Sequence, residues 1–229
     1  MTAKTGALDR GNAGGRATRE LLMLTAERLF AERCFEAVAL REIGREAEQR
    51  NPAVTQYHFG TRDELVREIY AYRAEALNAR RFELLRELET RDAADDARAL
   101  LRALLLPHAE SIEDPENHFL GFLNRLIADR GGLELGGGRR DTVPLAAYDE
   151  LRARIAKQLP KIPNHVFERR FDLVFNWAIE ALAMFALRTA DAAVAVGAYL
   201  DELVAMLTAS LGAEPPRTRR ARLRSPAID

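Results

Sequence analysis

Between residues 41 and 62 the side chains change character. Asn51, Thr55, Gln56 and Tyr57 offer short or planar polar groups, and Arg41, Arg45, Arg50 and Arg62 surround them with permanent positive charge. Amide and hydroxyl groups of this kind bond base edges in a major groove or touch the thymine methyl. Guanidinium groups suit phosphate oxygens, which fix register without reading sequence. The chemistry on offer is therefore recognition of nucleic acid by a short helix. An ordinary amphipathic helix with solvated arginines accounts for the charges, but not for the polar face, the turn and the helix cap together.

Three helices must position those groups. The first is expected over 18–33, with Leu22, Ala26, Leu29 and Phe30 on one face. The second covers 40–47, turning Leu40, Ile43 and Ala47 inward and Arg41, Glu42, Arg45 and Glu46 outward. A turn at 48–51 leads to a short helix over 52–58, opened by Pro52, whose missing N–H costs nothing at a first helical position. Val54 and Phe59 anchor that helix on the two before it. Thr61-Arg62-Asp63-Glu64 is a capping box, so a long helix starts at residue 62 and runs to about residue 89. Amphipathic segments follow at 93–112, 117–130, 145–159, 164–188 and 192–211, and no alternating strand pattern is present. The expected fold is all-α: an N-terminal three-helix helix-turn-helix domain, then a C-terminal helical bundle for ligand binding and dimerisation. We divide the chain into an arm without fixed structure (1–17), the helix-turn-helix domain (18–62), the regulatory and dimerisation domain (63–212) and an arginine-rich tail without fixed structure (213–229). The glycine-rich stretch 131–144 reads as a flexible loop.

The stretch 18–70 resembles the DNA-binding domain of the tetracycline-repressor (TetR) family of bacterial transcription regulators. The likeness is carried by Phe30-Ala31-Glu32-Arg33 with Phe35, Leu40-Arg41-Glu42-Ile43, Ala47, Tyr57-His58-Phe59 and Thr61-Arg62-Asp63-Glu64-Leu65. It implies a homodimer on a palindromic double-stranded DNA operator, released by a small effector. By position, Gln49 to Tyr57 would face the groove, and Tyr57, His58, Thr61 and Arg62 would hold the DNA backbone. Cys34 and Glu48 stand where the family usually has glycine, and Val38-Ala39 replaces a threonine/serine pair that opens the second helix. The turn through Gln49-Arg50-Asn51-Pro52 is one residue longer than the common form.

The segment 164–188 is apolar on two sides, one carrying Phe167, Phe171, Val174, Phe175, Ala178 and Leu182, the other Leu173, Trp177, Met184 and Leu187. Such a helix needs cover from both directions: its own domain and a second subunit. We place the dimer interface on Phe171, Ala178 and Leu182 with Tyr199, Leu203 and Leu207 of the last helix, two helices from each subunit forming a four-helix contact. Pro107 is expected to kink its helix and open space lined by His108, Phe119, Phe122, Leu123, Leu126, Phe175 and Trp177, suited to a small hydrophobic or aromatic effector.

Composition closes other routes. A net charge of −1 argues against coating nucleic acid by charge alone. The lone Cys34 allows no internal disulfide and suits a reducing cytoplasm; we read it as an inert residue packed at a helix end. Residues 1–18 hold no apolar core of a secretory signal, and the most apolar segment, 173–187, is too short to span a bilayer. The four histidines show no metal-ligand spacing, and no nucleophile or phosphate-loop motif occurs, so we expect no metal, no cofactor and no catalytic residues. The competing readings are a helical adaptor that binds protein only and a DNA-binding protein without a ligand.

Overall fold

The structure is a computed structural model describing residues 5–130, 145–188 and 195–214. The regular secondary structure of the described residues is all helical: α1 (Thr5–Glu32), α2 (Leu40–Glu46), α3 (Val54–Phe59), α4 (Arg62–Thr90), α5 (Ala97–Glu110), α6 (Phe119–Arg130), α7 (Ala146–Lys157), α8 (Asn164–Arg188) and α9 (Val196–Gly212). No described helix is long and apolar enough to cross a membrane. Single 3-10 turns, Phe35–Ala37 and Ser111–Glu113, follow α1 and α5.

Two boundaries depart from expectation. Helix α1 reaches back to Thr5, through glycines that would start a helix poorly. An established helix extends one hydrogen bond per residue fixed, whereas nucleation orders several residues for the first bond. Helix α3 starts at Val54, not Pro52. Asn51-Pro52-Ala53-Val54 forms a turn instead: the Asn51 carbonyl accepts from the Val54 N–H at 3.1 Å, and its side-chain oxygen accepts from Ala53 at 3.0 Å. Asparagine first and proline second are the residues such a turn favours. Helix α4 starts as the capping box requires: Thr61 Oγ1 accepts from the Glu64 N–H, and the Glu64 carboxylate accepts from the Thr61 N–H at 2.9 Å. The loop 131–144 and the tail beyond residue 214 lie outside the described residues.

The first three helices are bolted to the rest through α1 and α6. Gly121 permits the close approach, since a Cβ there would stand 3.1 Å from that of Ala31. Phe30 stacks on Phe35 at 4.7 Å, and both meet Phe122 of α6. Beside them Glu27, fully buried on α1, takes two hydrogen bonds from Arg73 of α4, at 2.7 and 2.9 Å, and one from the His118 N–H just before α6. A buried carboxylate needs partners of this kind to offset its desolvation.

The residues expected at a dimer interface mostly face inward. Phe171, Ala178 and Leu182, with Leu207 of α9, are buried in the chain's own core, and Tyr199 and Leu203 are half-buried. Tyr199 stacks on Phe185 at 4.4 Å and donates to the Ala181 carbonyl. The side left open holds Leu173, Trp177 (53% exposed), Met184 and Leu187 (83% exposed), with Met206 of α9 nearby in type and exposure. Both sides of α8 are apolar, so periodicity alone could not tell which one turns inward.

Candidate nucleic-acid interface

Ala39 caps the start of helix α2 with no side-chain hydrogen bond, as the missing hydroxyls at residues 38 and 39 imply. A different device holds the place: Arg62, at the first turn of α4, donates to the Val38 carbonyl at 3.1 Å. The turn after α2 closes with the Gln49 N–H bonded to the Gly44 carbonyl at 2.9 Å, and Glu48 is carried into the left-handed region at φ 55°. Gly44 lets α3 settle on α2, because a Cβ there would lie 3.3 Å from Val54 and 3.4 Å from Thr55.

This frame leaves a polar, cationic face. Gln56 and Tyr57 point into solvent, Tyr57 with 84% of its surface exposed and its ring against that of half-buried His58 at 5.3 Å. Arg50 and Asn51 are exposed in the turn. Arg41 and Arg50 make no ion pair among the described residues, and Arg45 has only a 3.7 Å contact with Glu46. Arg41, Arg45, Gln49, Arg50 and Pro52 line one open concavity with Ala39 and Glu42. The Glu42 carboxylate is neutralised locally: Arg33 binds it at 2.5 Å and holds it below its ordinary pKa, so its repulsion of a phosphate is reduced. Arginines free of partners around amide and phenol groups can hold phosphates and present hydrogen bonds to bases.

Four expected DNA contacts are buried or otherwise engaged. Thr55 is fully buried and its hydroxyl has no partner, so it reads no base. It lies four residues before Phe59, and with α3 beginning at Val54 these two form the inward face. Arg62 is half-buried on the Val38 carbonyl, which makes it a brace for α2. The Thr61 hydroxyl is taken up with Glu64, to which it also donates at 2.9 Å, and the Gln49 amide bonds the Ala47 carbonyl at 2.9 Å. Cys34, expected to be packed away, is exposed, with its thiol on Glu36 at 3.3 Å. The Glu36 backbone favours the thiolate, but the Glu36 and Asp129 carboxylates together with desolvation hold the thiol pKa above its ordinary value. Cys34, Glu36 and Asp129 bring three ligand atoms within 4.8 Å, all exposed and already used in local bonds.

The expected ligand residues divide. His108, Phe119 and Phe175 come together, their rings 6.0–6.4 Å apart. Phe122 belongs to the α1–α6 joint, Leu123 and Leu126 are core, and Trp177 is on the open side of α8. Helix α5 runs unbroken through Pro107. Sequence reasoning passed over two buried charges, Glu27 and Arg81. Both sit on inward lines of their helices, Glu27 between Met23 and Phe30, Arg81 between Ala74 and Leu84, and that position was the available signal.

The family model of bacterial regulatory proteins, tetR family, matches residues 22–69. The matched span starts inside α1, contains α2 and α3 with the turn between them, and stops within α4. No curated protein matches the chain.

Proposed function

From its place in the tetR family of bacterial regulatory proteins, which makes this chain a DNA-binding transcription regulator, we propose that it is a ligand-responsive repressor. Two copies would bind a palindromic operator, each setting α3 in a major groove. Asn51, Gln56 and Tyr57 would meet the bases and sugar-phosphate edge, with Arg41, Arg45 and Arg50 on phosphates. The observation that carries this reading is the exposed face of α3 and its turn, where Arg41 and Arg50, without an ion pair among the described residues, accompany exposed Asn51, Gln56 and Tyr57. The open apolar side of α8 supports the dimer, and the mixed polar and aromatic core between α4 and α8 supports an effector.

Release would act through distance. Two recognition helices must stand about one DNA turn, roughly 34–36 Å, apart. Phe119 lies in the aromatic core, and the adjoining His118 N–H bonds Glu27 of α1 alongside Arg73 of α4. A ligand that shifts the start of α6 thus pulls on both helices that carry the DNA-binding part, and it changes operator affinity by its preference for the shifted state.

A gel shift against the DNA upstream of the chain's own gene tests the reading, at moderate salt because phosphate contacts are salt-sensitive. Specific retention is expected for the wild type, and Tyr57→Ala should weaken it across all sites by about 1–2 kcal/mol. An intact dimer without specific retention would overturn the proposal and leave the protein-binding adaptor.

A further inference from the structure

We propose that the effector, on the ligand-responsive reading above, is an apolar molecule bearing a single carboxylate, held by Arg81 inside a belt of aromatic rings. Arg81 projects from α4 into the core and is 3% exposed. No carboxylate among the described residues lies within ion-pairing distance of it. Its hydrogen-bond partners are neutral: Nε donates to the Leu104 carbonyl at 3.1 Å, and Nη2 meets Nε2 of His108 at 3.0 Å. A guanidinium has five N–H donors and no acceptor, so donors remain on it after these two bonds.

The second observation is on His108. Arginine can only donate, so Nε2 of His108 must accept, which puts the ring proton on Nδ1. Nδ1 is buried without a partner. The core therefore contains a cation lacking an anion and, on the next side chain, an N–H lacking an acceptor. Buried groups of either kind are costly unless something compensates them. Burial lowers the Arg81 pKa to about 10 and holds His108 well below its ordinary value, as expected where compensation is missing.

The surroundings set the rest of the ligand. Tyr70 packs on Phe119 at 6.0 Å, Phe119 on His108, His108 on Phe175, and Phe175 on Tyr148 at 5.4 Å. The Arg81 guanidinium lies 5.7 Å from the Tyr148 ring centre. Helices α4 to α8 each contribute to this belt, so a molecule within it would touch all five. Rings on all sides call for an aryl or alkyl body. One cation calls for one negative charge, since a phosphate dianion would keep an unmatched charge in the core. A carboxylate takes paired N–H bonds from a guanidinium, and a cationic ligand would be repelled.

Calorimetry and thermal shift on the full chain provide the test, with phenylacetate, phenylbutyrate, octanoate and decanoate set against their neutral primary amides. At least one acid should bind the wild type about tenfold or more tightly than its amide. In Arg81→Met, with its helicity checked by circular dichroism, that preference should vanish. Equal binding of acid and amide to the wild type, no binding by any acid, or a preference surviving in a folded Arg81→Met would each overturn the proposal. The wild-type comparison needs no variant, so it decides the matter even if Arg81→Met does not fold. An acid that binds without loosening the DNA complex keeps the site and removes its coupling to DNA, which separates this inference from the repressor reading.

Discussion

Glu48 holds φ 55° in the turn between α2 and α3, where an L side chain crowds its own carbonyl at about 1–2 kcal/mol. It also puts a carboxylate beside the cationic concavity. Glu48→Gly should therefore raise stability by about 0.5–1 kcal/mol, after the flexibility glycine adds to the unfolded chain, and should tighten DNA binding at low salt. Urea unfolding and a salt-dependent gel shift check the two parts, and a loss of stability would mean that the turn needs the glutamate. Thr55 argues the opposite case, a residue of a type suited to base contact whose side chain is buried. Its buried hydroxyl has no partner, and a methyl of similar size removes that cost. Thr55→Val should leave operator affinity unchanged and add up to about 1 kcal/mol of stability. Weakened binding with an intact fold would return Thr55 to the interface.

The helices between Arg62 and Arg188 carry a pH dependence that can be assigned to one ring. His108 of α5 meets Arg81 of α4, Phe119 of α6 and Phe175 of α8, and only Arg81 among them is charged. Desolvation and then the Arg81 charge hold its pKa well below the ordinary 6.5. The unfolded chain takes up a proton near that pH and the folded chain does not. Stability is therefore full above about pH 6.5 and falls as the pH drops, by at most about 1.4 kcal/mol per unit, until the folded pKa is reached. His108→Gln, which keeps an acceptor for Arg81, should flatten the slope between about pH 6.5 and 5.5. An unchanged slope in thermal unfolding would place the titration elsewhere. Local signals made much of this architecture legible in the sequence. The capping box fixed the start of α4, and 3.6-residue periodicity found α2, α8 and the all-helical class. What stayed hidden depends on partners distant in the chain. Arg81 and His108 are 27 positions apart, Glu27 and Arg73 are 46 apart, and no local pattern couples them. Thr55, expected at the DNA face, is turned inward because the Asn51–Val54 turn delays the start of α3 by two residues.

At the scale of the molecule, the open side of α8 makes the sharpest demand. Leu173, Trp177, Met184 and Leu187 recur at helical spacing and are all substantially exposed, although other apolar residues of that helix are buried. A contiguous apolar stripe facing water marks an interaction surface in a monomer of this size. A twofold partner would cover it with the same stripe, as closed symmetry requires. Such a dimer is also what a palindromic operator needs, because one copy reads one half-site and the second adds its binding at high effective concentration. Trp177→Glu tests this without disturbing the core, since the residue has more than half its surface exposed and the chain's own core is formed by the opposite side of α8. Circular dichroism should be unchanged, while sedimentation should shift from dimer toward monomer. Operator affinity should then fall by about 10²–10⁴, the avidity lost when two linked sites become one. The acid preference attributed to Arg81 should survive, because its belt is built from a single copy. A Trp177→Glu protein that remained dimeric and kept full operator affinity would move the interface away from α8, and the spacing of the two recognition helices would then need another joint to set it.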